Sequence, residues 1–422
     1  MSCRSIAAAL LMATAACGGA SDAGSSAAEW VGTVTTEGNV TTVVNESGSV
    51  WGGDVQLVEE VSIGVEAGED AYMLGSVGAV WATDDEIYVV DRQVPALRVY
   101  DMGGRHLRDI GAEGSGPGEF RRPDSLAIGP QGRIYVRDYD NDRIMVFSPD
   151  GEEAGTLPLA GNFRTSTGIV MTVAGVLYSY QRIPSDDPEE RTYGMVPRSL
   201  DGDTAGEPIP RPELEAPQGS SLSARSESMS IGMGVPFAPG VQWVVAPSGA
   251  VIAGVSDEYS FEIRYPDGAV TRVVRIDDPV PVDSAEADWH RKRITAQMRG
   301  YVADWSWNGD DIPEHKPAYT RFLPDHSGRI WVARPGPGKH VEGECDENPQ
   351  ADQERGASCW GESTIWEVFD DEGRFLGGAE VPDTLNAYSP TYIRDDVFIA
   401  ALTDEMGTPM VKRYQLVYPD GK

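Results

Sequence analysis

The chain has 422 residues, with 67 acidic and 34 basic side chains, and its formal net charge at pH 7 is −33. An acid excess of this size repels nucleic acid and anionic lipid headgroups, so it argues against a nucleic-acid partner. A role in solubility is enough to explain the acid excess. Binding of divalent cations is the alternative explanation.

Residues 1–17 predict an export signal. Arg4 is the only charge before an apolar run from Ile6 to Ala16, which is too short to span a bilayer. Residues 13–19 resemble a bacterial lipoprotein signal, although Thr14 stands where that family usually has leucine. The resemblance implies lipidation of Cys17 and a lipid anchor in the bacterial envelope, in the outer membrane or the periplasm. Plain secretion with an uninvolved Cys17 is the alternative.

Residues 18–53 are rich in Gly, Ser, Ala and Thr. This composition predicts a flexible tether with a mean reach of roughly 30 Å, although a short strand around Asn39–Asn45 is compatible with it.

A repeated pattern of turns and short strands is clearest between Gly111 and Asp150. A glycine-rich loop leads there into short strand-like runs separated by Pro-Gln-Gly, Asp-Tyr-Asp-Asn-Asp and Ser-Pro-Asp-Gly turns. The core of the unit, a turn followed by an apolar strand, occurs six times, at residues 84–89, 131–136, 174–178, 248–252, 327–332 and 394–399. Short strands at even spacing with Gly, Pro and Asp turns are typical of a β-propeller with four-stranded blades.

The second repeat resembles NHL-type propeller repeats, and residues 54–422 as a whole resemble bacterial six-bladed NHL-like propellers, which are usually exported or lipid-anchored. The expected fold is therefore an all-β six-bladed propeller with a short helical insert. Val55–Ile63 alternates like a strand before the first repeat, and the chain ends on a third strand, Lys412–Tyr418. We expect these two segments to pair and close the ring, because pairing removes a free sheet edge.

Two segments interrupt the repeats. Residues 208–239 are rich in Pro, Ser, Gly and Met and predict a long loop, whereas residues 281–317 predict a helical insert. Asp283 and Glu286 have the spacing of a capping box. The helix is expected to lie across one face of the ring, over the fourth or fifth blade.

Cys345 and Cys359 are the two cysteines that follow the predicted export signal. Because disulfides persist in exported proteins, we expect these two residues to form one. Zinc is the alternative, but no Cys-x-x-Cys motif or histidine pair lies nearby.

Few segments of the sequence resemble a metal-binding or phosphate-binding motif. Asp138, Asp140 and Asp142 alternate as in an EF-hand loop, but Pro149 stands at the last ligand position, which favours an ordinary turn. The Gly114–Phe120 loop lacks the Lys-Ser/Thr pair and the following helix of a phosphate-binding loop, so it predicts a connector between blades.

Histidines and aromatic residues give two further candidates. His290 and His315 fall in the insert and His326 and His340 in the fifth repeat, without the spacing of a metal motif; no cofactor is predicted, and a divalent metal is left open. Propeller lyases with histidine-bound metal share this fold, but their motif residues are not matched here. Four aromatic residues of the insert are candidate ligand contacts for a sugar or a peptide, or else they pack the helix onto the ring: Trp289, Tyr301, Trp305 and Trp307.

The first functional hypothesis is a non-catalytic binding or scaffolding propeller that meets an unidentified peptide, glycan or protein. A metal-dependent lyase or lactonase with its site at the central channel is the second, and an extracytoplasmic carbohydrate-binding protein is the third. The sequence contains no Gly-x-Ser-x-Gly motif, and no catalytic residue is assigned.

Overall fold

A computed structural model describes residues 29–159, 167–185, 187, 191–199, 206–215, 217–226, 229–341 and 359–419. Six four-stranded blades surround a central channel, so the chain is a six-bladed β-propeller with one helical insert, as predicted. In each blade the strands run antiparallel from the innermost strand to the outermost.

The strands follow the chain in a simple order. The N-terminal segment contains β1 (Val31–Glu37), β2 (Val40–Ser47) and β3 (Val55–Ile63). Blade 1 contains β4 (Val77–Ala82), β5 (Glu86–Asp91), β6 (Ala96–Asp101) and β7 (His106–Ile110), and the short strands β8 (Ala112–Glu113) and β9 (Glu119–Phe120) follow it. Blade 2 contains β10 (Pro123–Ile128), β11 (Ile134–Asp138), β12 (Arg143–Phe147) and β13 (Glu153–Pro158). Blade 3 contains β14 (Ile169–Met171), β15 (Leu177–Arg182), β16 (Tyr193–Arg198) and β17 (Ile209–Pro210).

The second half begins with a hairpin of β18 (Ser221–Arg225) and β19 (Ser230–Gly234). Blade 4 contains β20 (Val241–Val245), β21 (Val251–Val255), β22 (Ser260–Arg264) and β23 (Val270–Arg275), and α1 (Ser284–Tyr301) follows. Blade 5 contains β24 (Arg321–Pro324), β25 (Ile330–His340), β26 (Trp360–Phe369) and β27 (Phe375–Glu380). Blade 6 contains β28 (Thr391–Arg394), β29 (Val397–Thr403) and β30 (Pro409–Val417) together with β3. Short 3₁₀ turns cover Asp70–Tyr72, Pro130–Gly132 and Tyr139–Asn141.

The six repeat copies all become the second strand of a blade. Most of their residues are buried, as in β11, where all five are, whereas β15 alternates between buried and more exposed residues. Each blade packs face to face against two neighbours, so the second strand reads as a continuous apolar run. Five apolar clusters fill the spaces between blades 6 and 1, 1 and 2, 2 and 3, 4 and 5, and 5 and 6.

The predicted ring closure is confirmed. β3 pairs antiparallel with β30, from Gln56 opposite Val417 to Ile63 opposite Val411, and becomes the outermost strand of blade 6. Its first residues also pair in parallel with β27 of blade 5, which joins the last two blades into one sheet.

The flexible tether predicted for residues 18–53 is wrong for the part that the structure describes. β1 and β2 form a hairpin, and β2 adds in parallel to β23 at the outer edge of blade 4, from Val40 opposite Val270 to Asn45 opposite Arg275. Val43 is buried against the blades. The alternating Val and Thr residues suit an edge strand, but the small polar residues around them hide this pattern in the composition.

The long loop predicted for residues 208–239 is also wrong in part, because it contains β17 and the β18–β19 hairpin. Leu222 and Ala224 of this hairpin pack against Ile294 and Met298 of α1 in a small core of their own. Serine and glycine alternate with these apolar residues, which is why the segment reads as a loop.

The helix lies within the predicted insert. Asp283 caps it by accepting a hydrogen bond from the Ala285 amide at 2.8 Å. Glu286 does not complete a capping box; it is buried and its Oε1 lies 2.9 Å from Nζ of Lys316. Among the described residues, no helix is long and apolar enough to cross a membrane.

Candidate functional site: the central channel

The edges of the innermost strands enclose a cavity of about 620 Å³ at the centre of the ring. All six blades contribute to its wall through β4, β10, β14, β20, β24 and β28. A concave space with a few polar groups on rigid strands is where propellers and other scaffolds bind ligands.

The two ends of this channel differ because of where the insertions lie. The β18–β19 hairpin and α1 precede β20 and β24, so both stand at the end where the innermost strands begin. We call this end the insert face. The insert is held over blades 4 and 5, since the Ala318 amide donates to Ser256 and Lys316 lies 3.2 Å from Glu362 of β26.

Three aromatic rings narrow the channel at the opposite end. Trp81 of β4 and Tyr392 of β28 have ring centroids 5.0 Å apart, and the His326 ring lies 4.5 Å from Trp81 and 4.7 Å from Tyr392. Trp81 also packs against the clusters between blades 1 and 2 and between blades 2 and 3, so it reaches across the channel. Burial lowers the pKa of His326 to about 4, and the imidazole is therefore neutral at neutral pH.

Nearer the insert face, each innermost strand contributes one residue at the same level. Strand register places these residues three positions before the last residue of each strand, and all of them line the cavity. The six are Ala79, Ser125, Gly168, Gln242, Arg321 and Thr391. We call them the upper ring. Four are small and leave space over blades 1, 2, 3 and 6, and Arg321 is the only charged member.

The charges around the upper ring are unequal. Asp124 is held by Arg137 through two hydrogen bonds, Nε to Oδ1 at 2.7 Å and Nη2 to Oδ2 at 2.9 Å, so its charge is compensated. Arg321 donates to the carbonyl oxygen of Ala387, and its guanidinium lies 5.6 Å from the ring centroid of Tyr388, which is 74% exposed at the mouth. Burial lowers the pKa of the Arg321 guanidinium.

The four predicted aromatic contacts do not form one platform. Trp305 is 5% exposed in the core between α1 and the β18–β19 hairpin, and its Nε1 donates to the Ser223 carbonyl at 2.8 Å. Trp307 packs against the same core beneath Arg291. Trp289 lies beside His290, and Tyr301 is exposed. The tryptophans at 305 and 307 therefore attach the helix to the hairpin rather than to the ring.

The histidines are not brought together either. His326 lies at the narrow end of the channel, His290 contacts Phe237 under the insert, and His340 contacts Trp360. Burial lowers the pKa of His290 to about 4. Within the described residues, no group of three or more His, Cys, Asp or Glu side chains is arranged to hold a metal ion.

The acidic turn and the glycine-rich loop have structural roles. Asp138 accepts from the amides of Arg121 and Arg122 and from Asn141, so it fixes the connector to blade 2. Gly111 in this connector has a φ of +80°, and a Cβ there would lie 2.3 Å from the ring of the buried Phe120.

The cysteine predictions remain open. Cys359 is buried at the start of β26, while Cys345 and Cys17 lie outside the described residues, so the disulfide and the lipidation stay predictions.

The upper ring was missed at the sequence level. Gln242, Arg321 and Thr391 lie outside the repeat core, in innermost strands whose sequences differ from blade to blade. The one signal in the sequence that could have located these residues is that each innermost strand directly precedes a repeat copy.

Part of the chain is similar to a known family, and solved structures resemble it only distantly. Residues 66–203 match a family model described as a 6-bladed beta-propeller. No curated protein matches the chain. Among solved structures, a putative exported protein from Bacteroides fragilis is 12% identical, with a TM-score of 0.46, over 87% of this chain and 96% of that one. A duf4221 family member from Bacteroides vulgatus is 9% identical, with a TM-score of 0.45, over 87% and 99% of the two chains. Virginiamycin B lyase from Staphylococcus aureus is 8% identical, with a TM-score of 0.41, over 86% and 99%.

Proposed function

We propose that this propeller is a non-catalytic binding protein of the bacterial envelope, and that its ligand enters the central channel from the insert face. The observation that carries the proposal is the shape of the channel. It is wide and polar at the upper ring and narrowed at the other end by Trp81, His326 and Tyr392. A cavity with one wide mouth retains a ligand, whereas an evenly open channel offers no end against which it packs.

The titratable groups of the channel support binding rather than catalysis. Asp124 is compensated by Arg137, and the neutral His326 is stacked between aromatic rings. A general acid or base has to reach the reacting group within hydrogen-bond distance. Asp124 is engaged by Arg137 and His326 is packed between aromatic rings, so the wall of the channel favours recognition.

Occupancy of the channel can be tested with N-phenyl-1-naphthylamine, an uncharged fluorescent probe that brightens in apolar surroundings. We expect the mature protein to bind it, because apolar side chains line the lower channel. Gln242→Trp places a large ring at the upper ring and should weaken probe binding at least tenfold. Gln56→Trp, on the exposed outer strand of blade 6, is the matched control and should bind like wild type. Equal affinities for all three proteins would contradict a channel site.

The envelope location is proposed from the leader. If Cys17 is lipidated, Cys17→Ser should move the protein from the membrane fraction to the soluble exported fraction, since stable anchoring depends on the acyl chains. Cys3→Ser changes a cysteine within the same leader and should leave the protein in the membrane fraction. Immunoblots of separated fractions measure the outcome, and a membrane-bound Cys17→Ser protein would argue against the anchor.

A further inference from the structure

One charged side chain of the channel wall, Arg321, has no acidic partner among the described residues. Arg321 is the first residue of β24, and no carboxylate of the described residues lies within ion-pair distance of its guanidinium. Its one hydrogen bond goes to the neutral carbonyl of Ala387. A guanidinium has five N–H donors, so several of them are left for another acceptor.

Arg321 is half-buried, and its arrangement differs from that of the three arginines that are fully buried. Arg98 lies 3.4 Å from Asp91, Arg137 lies 2.7 Å from Asp124, and Arg334 lies 2.6 Å from Asp277. Arg321 is half-buried in the wall of the channel, and it has no carboxylate partner among the described residues although the chain has 67 acidic side chains for 34 basic ones. Its unused N–H donors can therefore bind an acceptor that comes from outside the chain.

The space beside Arg321 has room for such an acceptor. Ala79, Ser125, Gly168 and Thr391 of the upper ring are small, and Asp124 offers no free charge to repel an anion because Arg137 holds it. Below the upper ring, the wall becomes apolar, with Leu126, Met171, Val244 and Leu323. The channel therefore has a cationic upper part and an apolar lower part.

We propose, as an extension of the proposed function, that Arg321 binds the oxyanion of an amphiphilic organic anion whose apolar part occupies the lower channel. Arginine recognises carboxylate and phosphate groups through paired N–H donors, which gives both attraction and orientation. The exposed Tyr388 ring at the mouth covers the guanidinium on one side, so the anion approaches from the channel.

The net charge of −33 does not oppose this binding strongly. At physiological ionic strength the Debye length is about 8 Å, so exposed carboxylates farther away than this are largely screened. Arg321 acts at contact distance inside the channel, where screening by salt is weak.

The test uses 8-anilinonaphthalene-1-sulfonate, which has the ring system of the uncharged probe with one added sulfonate. We expect wild-type protein to bind the sulfonate probe more tightly than the uncharged one. Arg321→Gln should weaken sulfonate binding about tenfold or more and change binding of the uncharged probe less than twofold. Arg321→Lys should retain most of the preference, and Arg272→Gln, which removes an exposed arginine from β23, should bind both probes like wild type.

The outcomes separate the two proposals. If wild-type protein and Arg321→Gln bind both probes alike, the anion site is overturned while channel binding stands. If neither probe binds, or if Gln242→Trp affects neither, both proposals fail. Thermal unfolding of every variant guards against misfolding. If Arg321→Gln does not fold, the preference of wild type and of Arg321→Lys for the sulfonate probe over the uncharged probe decides. Equal affinity of wild type for the two probes would then overturn the proposal.

Discussion

A chain that begins at residue 64 is expected to lose cooperative folding, whereas a chain that begins at residue 29 should unfold like the full-length chain. The first truncation removes β3, in which Val55 and Ile63 are buried and Leu57 and Val61 are half-buried. Each large apolar side chain contributes roughly 1.5–3 kcal/mol when it is fully buried. The loss approaches the free energy of unfolding of a typical domain, about 5–15 kcal/mol.

Unpaired backbone adds to this cost. Without β3, β30 loses seven paired positions from Val411 to Val417, and β27 loses its two at Ala379 and Glu380. Thermal and urea unfolding followed by circular dichroism would measure the effect. A chain beginning at residue 49, which lacks β1 and β2 but keeps β3, is the informative intermediate and should remain folded with a lowered midpoint. Equal midpoints for chains beginning at residues 29 and 64 would contradict the role given to β3.

Asn45→Ala is expected to lower the free energy of unfolding by about 3 kcal/mol. Asn45 is 1% exposed at the end of β2, where its Oδ1 accepts from the Phe375 amide at 2.7 Å and from Trp30 Nε1 at 2.8 Å. Its Nδ2 donates to the carbonyls of Gly373 at 3.0 Å and Val274 at 3.3 Å. Alanine leaves these groups without partners, and each buried unsatisfied group costs about 1–3 kcal/mol.

Asn39→Ala provides the matched control in the same hairpin. Asn39 is exposed at the turn end of β2 and donates to the Gly268 carbonyl at 2.8 Å. Water replaces this bond readily, so we expect a change of roughly 0.5 kcal/mol. Urea unfolding of both variants gives the comparison. Similar losses for the two would mean that the hairpin is held by strand pairing rather than by the bridge that Asn45 makes between blades 4 and 5.

The sequence predicted the features that repeat and missed those that occur once. Each second strand is an apolar run between Gly and Asp turns, so six blades followed from six copies, and the alternation of Val55–Ile63 was enough to predict ring closure. β1 was missed and β2 was given only as a possible short strand around Asn39–Asn45, because an edge strand with one face in water carries Val and Thr among polar residues. Asn45 itself gives no signal, since its partners Gly373 and Phe375 are more than 300 residues away.

The aromatic residues of the insert were predicted either as ligand contacts or as packing for the helix. Clustered aromatic residues attract attention, but Trp305 is needed to build a small core between α1 and a hairpin that reads as a loop. The upper ring combines one residue from each of six distant strands, and only the ring geometry brings them to one level.

The pairing of the N-terminal strands also limits the order in which the blades can fold during synthesis. Synthesis releases a chain from its N-terminus, yet β2 pairs with residues 270–275 and β3 with residues 411–417. Residues 31–63 therefore emerge early. β1 and β2 can pair with each other, but β2 waits for residues 270–275, and β3 waits until almost the whole chain has followed. Pairings of such long sequence separation form slowly and leave strands exposed to association with other chains. A chain stalled before residue 411 cannot complete blade 6, so β3 remains available to a chaperone or a protease throughout the delay.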